Sequence, residues 1–152
     1  MEKTAENIKK AYITGIDWSC YYTKGVITPT IQEINKFYDF TWTQILILDL
    51  LEREKKLSMS QAARMLALPP QNLTKTIDSL VDASLVSRRH DELNQRTIYI
   101  RLTPSGISIA RHCRRIRNDY FTRQMERIFT EEQQAEFLSA MQELDKLLHK
   151  LA

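Results

Sequence analysis

The sequence is poor in turn-formers and helix-breakers, with three glycines and four prolines in 152 residues. Such a chain is expected to be mainly α-helical. It contains no apolar run close to the ~18 residues of a membrane span, and MEKTAENIKK lacks the apolar core of a secretory signal. The expectation is a cytoplasmic protein without a membrane partner. Cysteine is also scarce. Cys20 and Cys113 lie far apart, with no metal-ligand spacing, so free thiols in a reducing compartment are expected rather than a disulfide framework. His112 and Cys113 are adjacent and would point about 100° apart on a helix, which makes them a poor pair of zinc ligands. A phosphate-binding glycine loop, a dinucleotide fingerprint, a nucleophile elbow and a paired-histidine metal motif are all missing. The residues therefore predict no enzyme, no cofactor and no metal site.

What is present is globular, with 43% hydrophobic and 27% charged residues. The length suits one ordinary domain. The net charge of +3 is unevenly spread: residues 60–117 hold ten Lys/Arg against four Asp/Glu, and the remainder holds 12 against 15. Positive charge thus gathers in one region, as a polyanion-binding surface needs.

That region surrounds residues 57–106. LSMSQAARMLALPPQNLTKTIDSLVDASLV has a helix–turn–helix pattern. Ser58 and Gln61 fit a capping box, and Ala62, Ala63 and Leu66 offer a small-residue face. Pro69-Pro70 opens the second helix, where Leu73, Ile77 and Leu80 face the core. Gln71, Asn72, Thr74 and Lys75 then point away. All four form hydrogen bonds and none is acidic, as base edges and phosphates in a major groove require. The next stretch, SRRHDELNQRTIYIRLTPSG, predicts a two-stranded hairpin. Ile98, Ile100 and Leu102 take one face of it, and Arg88, Arg89 and Arg96 lie near its tip. Guanidinium groups there suit the negative potential of a narrow minor groove.

The flanks read as helix. Ile8, Tyr12 and Ile16 recur at helical spacing, Gly25 and Thr28-Pro29 interrupt, and Ile31, Ile34, Phe37 and Tyr38 resume. This predicts a helical arm with a bend near Pro29. Trp18, Tyr21, Tyr22, Tyr38 and Trp42 are candidates for lining an aromatic or apolar effector pocket, or for plain helix packing. Thr41 and Gln44 form a second capping box before the stripe Ile45, Leu48, Leu51, and residues 52–56 read as a charged, solvated end. After Gly106 a long helix carries Ile109, Cys113, Ile116 and Tyr120 on one face. Thr130 and Gln133 cap a last helix, whose seam Phe137, Met141, Leu144, Leu148, Leu151 needs a partner such as the arm or a second subunit.

In this order the elements resemble the MarR family of winged helix–turn–helix regulators. The resemblance rests on Phe40-Thr41-Trp42-Thr43-Gln44, on Leu85-Val86 after the recognition helix, on the wing ending in Arg96, and on Leu102-Thr103-Pro104-Ser105-Gly106. The chain departs from the family pattern in having Ser84 in place of Gly and Asn94 in place of Asp, the family residue that helps hold the wing arginine. It also has Pro69 in place of a Ser or Thr cap, a loss worth roughly 1 kcal/mol. The resemblance implies a homodimer that binds double-stranded DNA at a near-palindromic operator and is loosened by a small ligand or an oxidant. It implies an N-terminal arm over 1–40, a DNA-binding region over 41–106 and dimerising helices over 107–152, in one compact unit. Two other readings stay open: a redox sensor using Cys20, although the flanking Tyr21 and Tyr22 favour burial as readily as activation, and a winged-helix adaptor that binds protein.

Overall fold

The computed structural model describes residues 2–150, so the expected seam residue Leu151 lies outside the described residues. Helix α1 spans Glu2–Tyr22, continues through five π-helical residues, Thr23–Ile27, and runs into α2, Thr28–Ile34. The expected interruption at Gly25 is absent. Ile27 (φ −65°, ψ −54°) and Thr28 (φ −59°, ψ −49°) remain helical. The wider turn explains this: Thr28 N–H donates five residues back to Thr23 O, and Pro29 falls in the first turn of α2, where its missing donor is not needed.

Helix α3, Trp42–Glu54, starts at Thr41 with both bonds of its capping box in place. The strand β1, Leu57–Ser58, leads into α4, Met59–Met65, capped by Ser58 and Gln61. Then come α5, Pro70–Asp82, and the strands β2, Val86–His90, and β3, Ile98–Leu102. The sheet has three antiparallel strands in the order β1-β3-β2, where a two-stranded hairpin was predicted. Two residues are too short for β1 to show an alternating pattern in sequence. Leu57 pairs with Ile100, Val86 with Leu102 and His90 with Ile98.

Helices and sheet share one core. Ile47, Leu48, Leu51, Leu73, Ile77, Leu80 and Ile100 are each at most 1% exposed. A side chain of this size contributes about 1.5–3 kcal/mol when fully buried. A smaller cluster joins Ile34, Ile45 and Cys113.

Both helices of the helix–turn–helix end alike. Leu68 N–H donates to Ala63 O and Ala67 N–H to Arg64 O; Leu85 N–H donates to Leu80 O and Ser84 N–H to Val81 O. These are Schellman bonds, and they place Ala67 (φ 50°) and Ser84 (φ 58°) in the left-handed region. Ser84 therefore stands where glycine is the unstrained residue.

Helix α6 spans Pro104–Ile128 and α7 spans Glu131–Leu148, capped by Thr130. The chain divides into two compact units, the first ending at Arg117 and the second beginning at Asn118. In the second, the Phe137 ring lies 6.3 Å from Phe121 and 6.0 Å from Phe129. Phe137, Met141 and Leu144 are half-buried there, and Leu148 is exposed.

In the first unit, the reading of residues 52–56 as a solvated end needs correction at Glu52, which is 8% exposed. Its carboxylate meets Arg114 at 2.7 Å and Arg111 at 3.4 Å, while Asp49 holds Arg114 at 3.0 Å and Arg117 at 3.2 Å. Burial alone would raise the Glu52 pKa, but Arg114, Arg111 and Lys55 outweigh it and hold the carboxyl below its ordinary value. The pairs tie α3 to the start of α6.

Candidate nucleic-acid interface

The expected recognition helix is α5. Its apolar residues, Leu73, Ile77 and Leu80, are buried, and Gln71, Asn72, Thr74 and Lys75 are all exposed. At 100° per residue these four span an arc of about 160°. Thr74 Oγ1 donates back to Pro70 O at 2.9 Å. Pro69 stands at the cap position without a side-chain bond to the helix. Pro70 has no N–H, and the next amides are partly served by Pro69 O, which accepts from Asn72 and Leu73. The double proline thus lowers the number of open donors that a Ser or Thr cap would satisfy.

Two features of α5 were not read from the sequence. Asp78, seven residues after Gln71, belongs to the same exposed face. Its charge is met by Arg88 of β2, whose Nη1 pairs with Asp78 Oδ1 and whose Nη2 donates to Thr74 O at 3.3 Å. Arg88 is half-buried and turned toward α5 rather than toward solvent. The second feature is Ser79, whose Oγ accepts from Gln44 Nε2 at 3.1 Å, so the residue that closes the α3 capping box also steadies α5. The spacing of seven was available as a signal for Asp78, whereas its partner 10 residues on was not.

The junctions around the wing are locked together. Thr103 Oγ1 donates to Ser84 O at 2.7 Å and accepts from Gly106 N–H at 3.0 Å, and Thr103 N–H donates to Leu85 O. A Cβ at Gly106 would sit 2.0 Å from Leu85 O, so the Leu-Thr-x-x-Gly stretch allows the start of α6 to touch the chain leaving α5. At the tip, Asp91 Oδ1 accepts from Leu93 and Asn94 N–H groups, and Asn94 Oδ1 accepts from Arg96 N–H at 3.2 Å. Asn94 therefore orders the arginine's backbone. Among the described residues nothing bonds the guanidinium of Arg96, and both Arg96 and Arg89 are exposed.

The five aromatic candidates fall into groups. Trp18 and Tyr22 stack at 5.2 Å, and Tyr21 is 75% exposed. Tyr38 and Trp42 pack on the Ile34, Ile45 and Cys113 cluster. The Tyr38 hydroxyl lies 2.6 Å from His112 Nδ1. Burial first, then Cys113, raises its pKa against the lowering effect of Arg115, so the phenol stays neutral. Cys20 is exposed on α1, whereas burial pushes the Cys113 thiol up to about 11.

Residues 38–97 match the model of the MarR family. The HTH-type transcriptional regulator SarZ of Staphylococcus haemolyticus is 26% identical over 103 residues, 67% of this chain and 70% of SarZ. A cysteine-to-serine mutant of MarR from E. coli superposes with a TM-score of 0.72 at 17% identity, over 77% of this chain and 85% of that one. Streptococcus pneumoniae FabT in complex with DNA superposes with a TM-score of 0.65 at 16% identity, over 99% of each chain. Residues 38–97 are thus similar to the MarR family, and the chain shares the winged helix–turn–helix fold of these solved structures.

Proposed function

We infer that the protein is a cytoplasmic, non-enzymatic transcriptional regulator that binds double-stranded DNA as a homodimer. The observation that carries this reading is the exposed face of α5, with Gln71, Asn72, Thr74 and Lys75, standing beside a wing whose Arg89 and Arg96 are exposed. In this reading α5 enters a major groove and Arg96 reaches the adjacent minor groove. Arg88 acts from behind, neutralising Asp78 so that α5 presents no bare carboxylate to the phosphates. Ile8, Tyr12, Ile13 and Ile16 leave an apolar stripe exposed on α1, which supports pairing with a second copy. Two-fold symmetry then demands half-sites roughly 34–36 Å apart.

A small aromatic or apolar effector fits the same reading. Trp18, Tyr21, Tyr22, Tyr38 and Trp42 are its candidate contacts. It would act by binding more tightly to the dimer whose recognition helices are wrongly spaced for DNA.

Arg96→Ala tests the contact set. It is expected to weaken operator binding and to lower the slope of log K against log salt by about 2 for a dimer, one contact per protomer. An unchanged slope would remove Arg96 from the interface.

A further inference from the structure

The wing has two faces, and only one of them meets the core. Strand register puts Arg89 opposite Tyr99 and Ser87 opposite Arg101. Alternation then sets Ser87, Arg89, Tyr99 and Arg101 on the side away from Val86, Ile100 and Leu102. Tyr99 is half-buried, and Arg89 and Arg101 are exposed. Lys56, from the turn before β1, extends across this outer face and places its Nζ 3.7 Å from the centre of the Tyr99 ring. A groove of about 320 Å³ follows the face, lined by Lys56, Arg89, Tyr99 and Arg101, with His90, Asp91, Glu92 and Leu93 toward the tip end. A second hollow of about 270 Å³ continues from Lys56 and Arg101 to Lys55, Glu52 and Ile107.

Basic groups outnumber acidic ones along this groove, with Lys56, Arg89 and Arg101 against Asp91 and Glu92. Among the described residues no carboxylate pairs with Lys56, Arg89 or Arg101, although ion pairs engage Arg88, Arg111, Arg114 and Arg117. The acidic group nearest in sequence to Arg89, Asp91, already accepts two backbone N–H bonds through one oxygen. Arg89 and Arg101 occupy diagonal cross-strand positions, about 7–8 Å apart along the backbone, where like charges oppose each other. An anion laid along the groove relieves that opposition. The three cations come from three separate stretches of chain and form a row, whereas a small anion is held by donors that converge on one point. A row of this kind complements a polyanion. The face also runs into the tip that carries Arg96.

We propose that the outer face of the wing is a second duplex-DNA surface, on which Lys56, Arg89 and Arg101 take the backbone phosphates flanking the operator. Tyr99 fixes the position of Lys56. The proposal rests on the DNA-binding reading above, but extends the contact beyond α5 and the wing tip. Phosphates carry no sequence information, so the surface lengthens the footprint and raises affinity without changing which bases are read.

The test uses the full chain and the double variant Lys56→Gln, Arg101→Gln. Both side chains are exposed, and equal thermal unfolding of variant and wild type confirms the fold. Binding is measured across a salt series on two duplexes: the minimal site selected by the wild type, and the same site with one helical turn, about 10 bp, added at each end. The wild type is expected to gain affinity and salt slope on the longer duplex. The variant should match it on the short duplex and lose up to about 3.6 of slope on the long one, 0.9 for each of four contacts in a dimer. Equal gains for both proteins overturn the proposal, as does a wild type that gains nothing. If no sequence is preferred, the regulator reading fails. The same comparison on random-sequence duplexes of the two lengths then still decides whether this face holds phosphates.

Discussion

Gly106 shows how much depends on single positions around the wing. The start of α6 comes so close to Leu85 that a methyl group has no room. Gly106→Ala is expected to destabilise the protein by about 3 kcal/mol, at the upper end of overpacking costs, read as a lower urea midpoint; unchanged stability would contradict the contact. The Leu-Thr-x-x-Gly stretch was visible in sequence, but its reason was not, because Leu85 and Gly106 are separated by the whole wing. Ser84 is the converse case. Its departure from glycine was visible, and the φ of 58° explains why glycine is the unstrained choice there. Asn94 also departs from pattern, and it orders the Arg96 backbone through its side-chain oxygen.

Among the elements, pairing between them corrected what periodicity suggested. The periodic stripes of α3 and α5, and all three capping boxes, were legible because they are local. Arg88 was not, since its partner lies on another element. If Arg88 neutralises Asp78 rather than touching DNA, Arg88→Ala should weaken DNA binding, and adding Asp78→Ala should recover most of the loss. A double variant as weak as Arg88→Ala alone would instead make Arg88 a direct contact. Glu52 was misread for the same reason: its two arginines, Arg111 and Arg114, stand about 60 residues away on α6. Its depressed pKa means that the folded protein binds fewer protons at Glu52 than the unfolded chain. The stabilisation is complete above the ordinary value of 4.5 and is lost as pH falls through the lower folded value. Glu52→Gln should therefore lower stability at neutral pH, and the gap from wild type should close in acid, as pH falls through the lowered folded value. A gap independent of pH would contradict the ion-pair account.

For the whole molecule, the winged helix–turn–helix could be read from the order of its motifs, although the two-residue strand β1 could not. The arm was harder. Gly25 and Pro29 signalled a break, and the π-helical turn carries the chain through them. No helix among the described residues is long and apolar enough to cross a membrane, and the apolar side chains of α1 are exposed in the single chain. A second copy would cover that stripe and set the spacing of two α5 helices, which links the arm to operator choice. The most direct test is selection of duplexes from a random pool by the full chain, followed by anisotropy with competitor DNA and by the mass of the complex. The account predicts a near-palindromic site, competitor-resistant binding and two protomers per duplex. Uniform weak binding to every sequence, or one protomer per site, would contradict it.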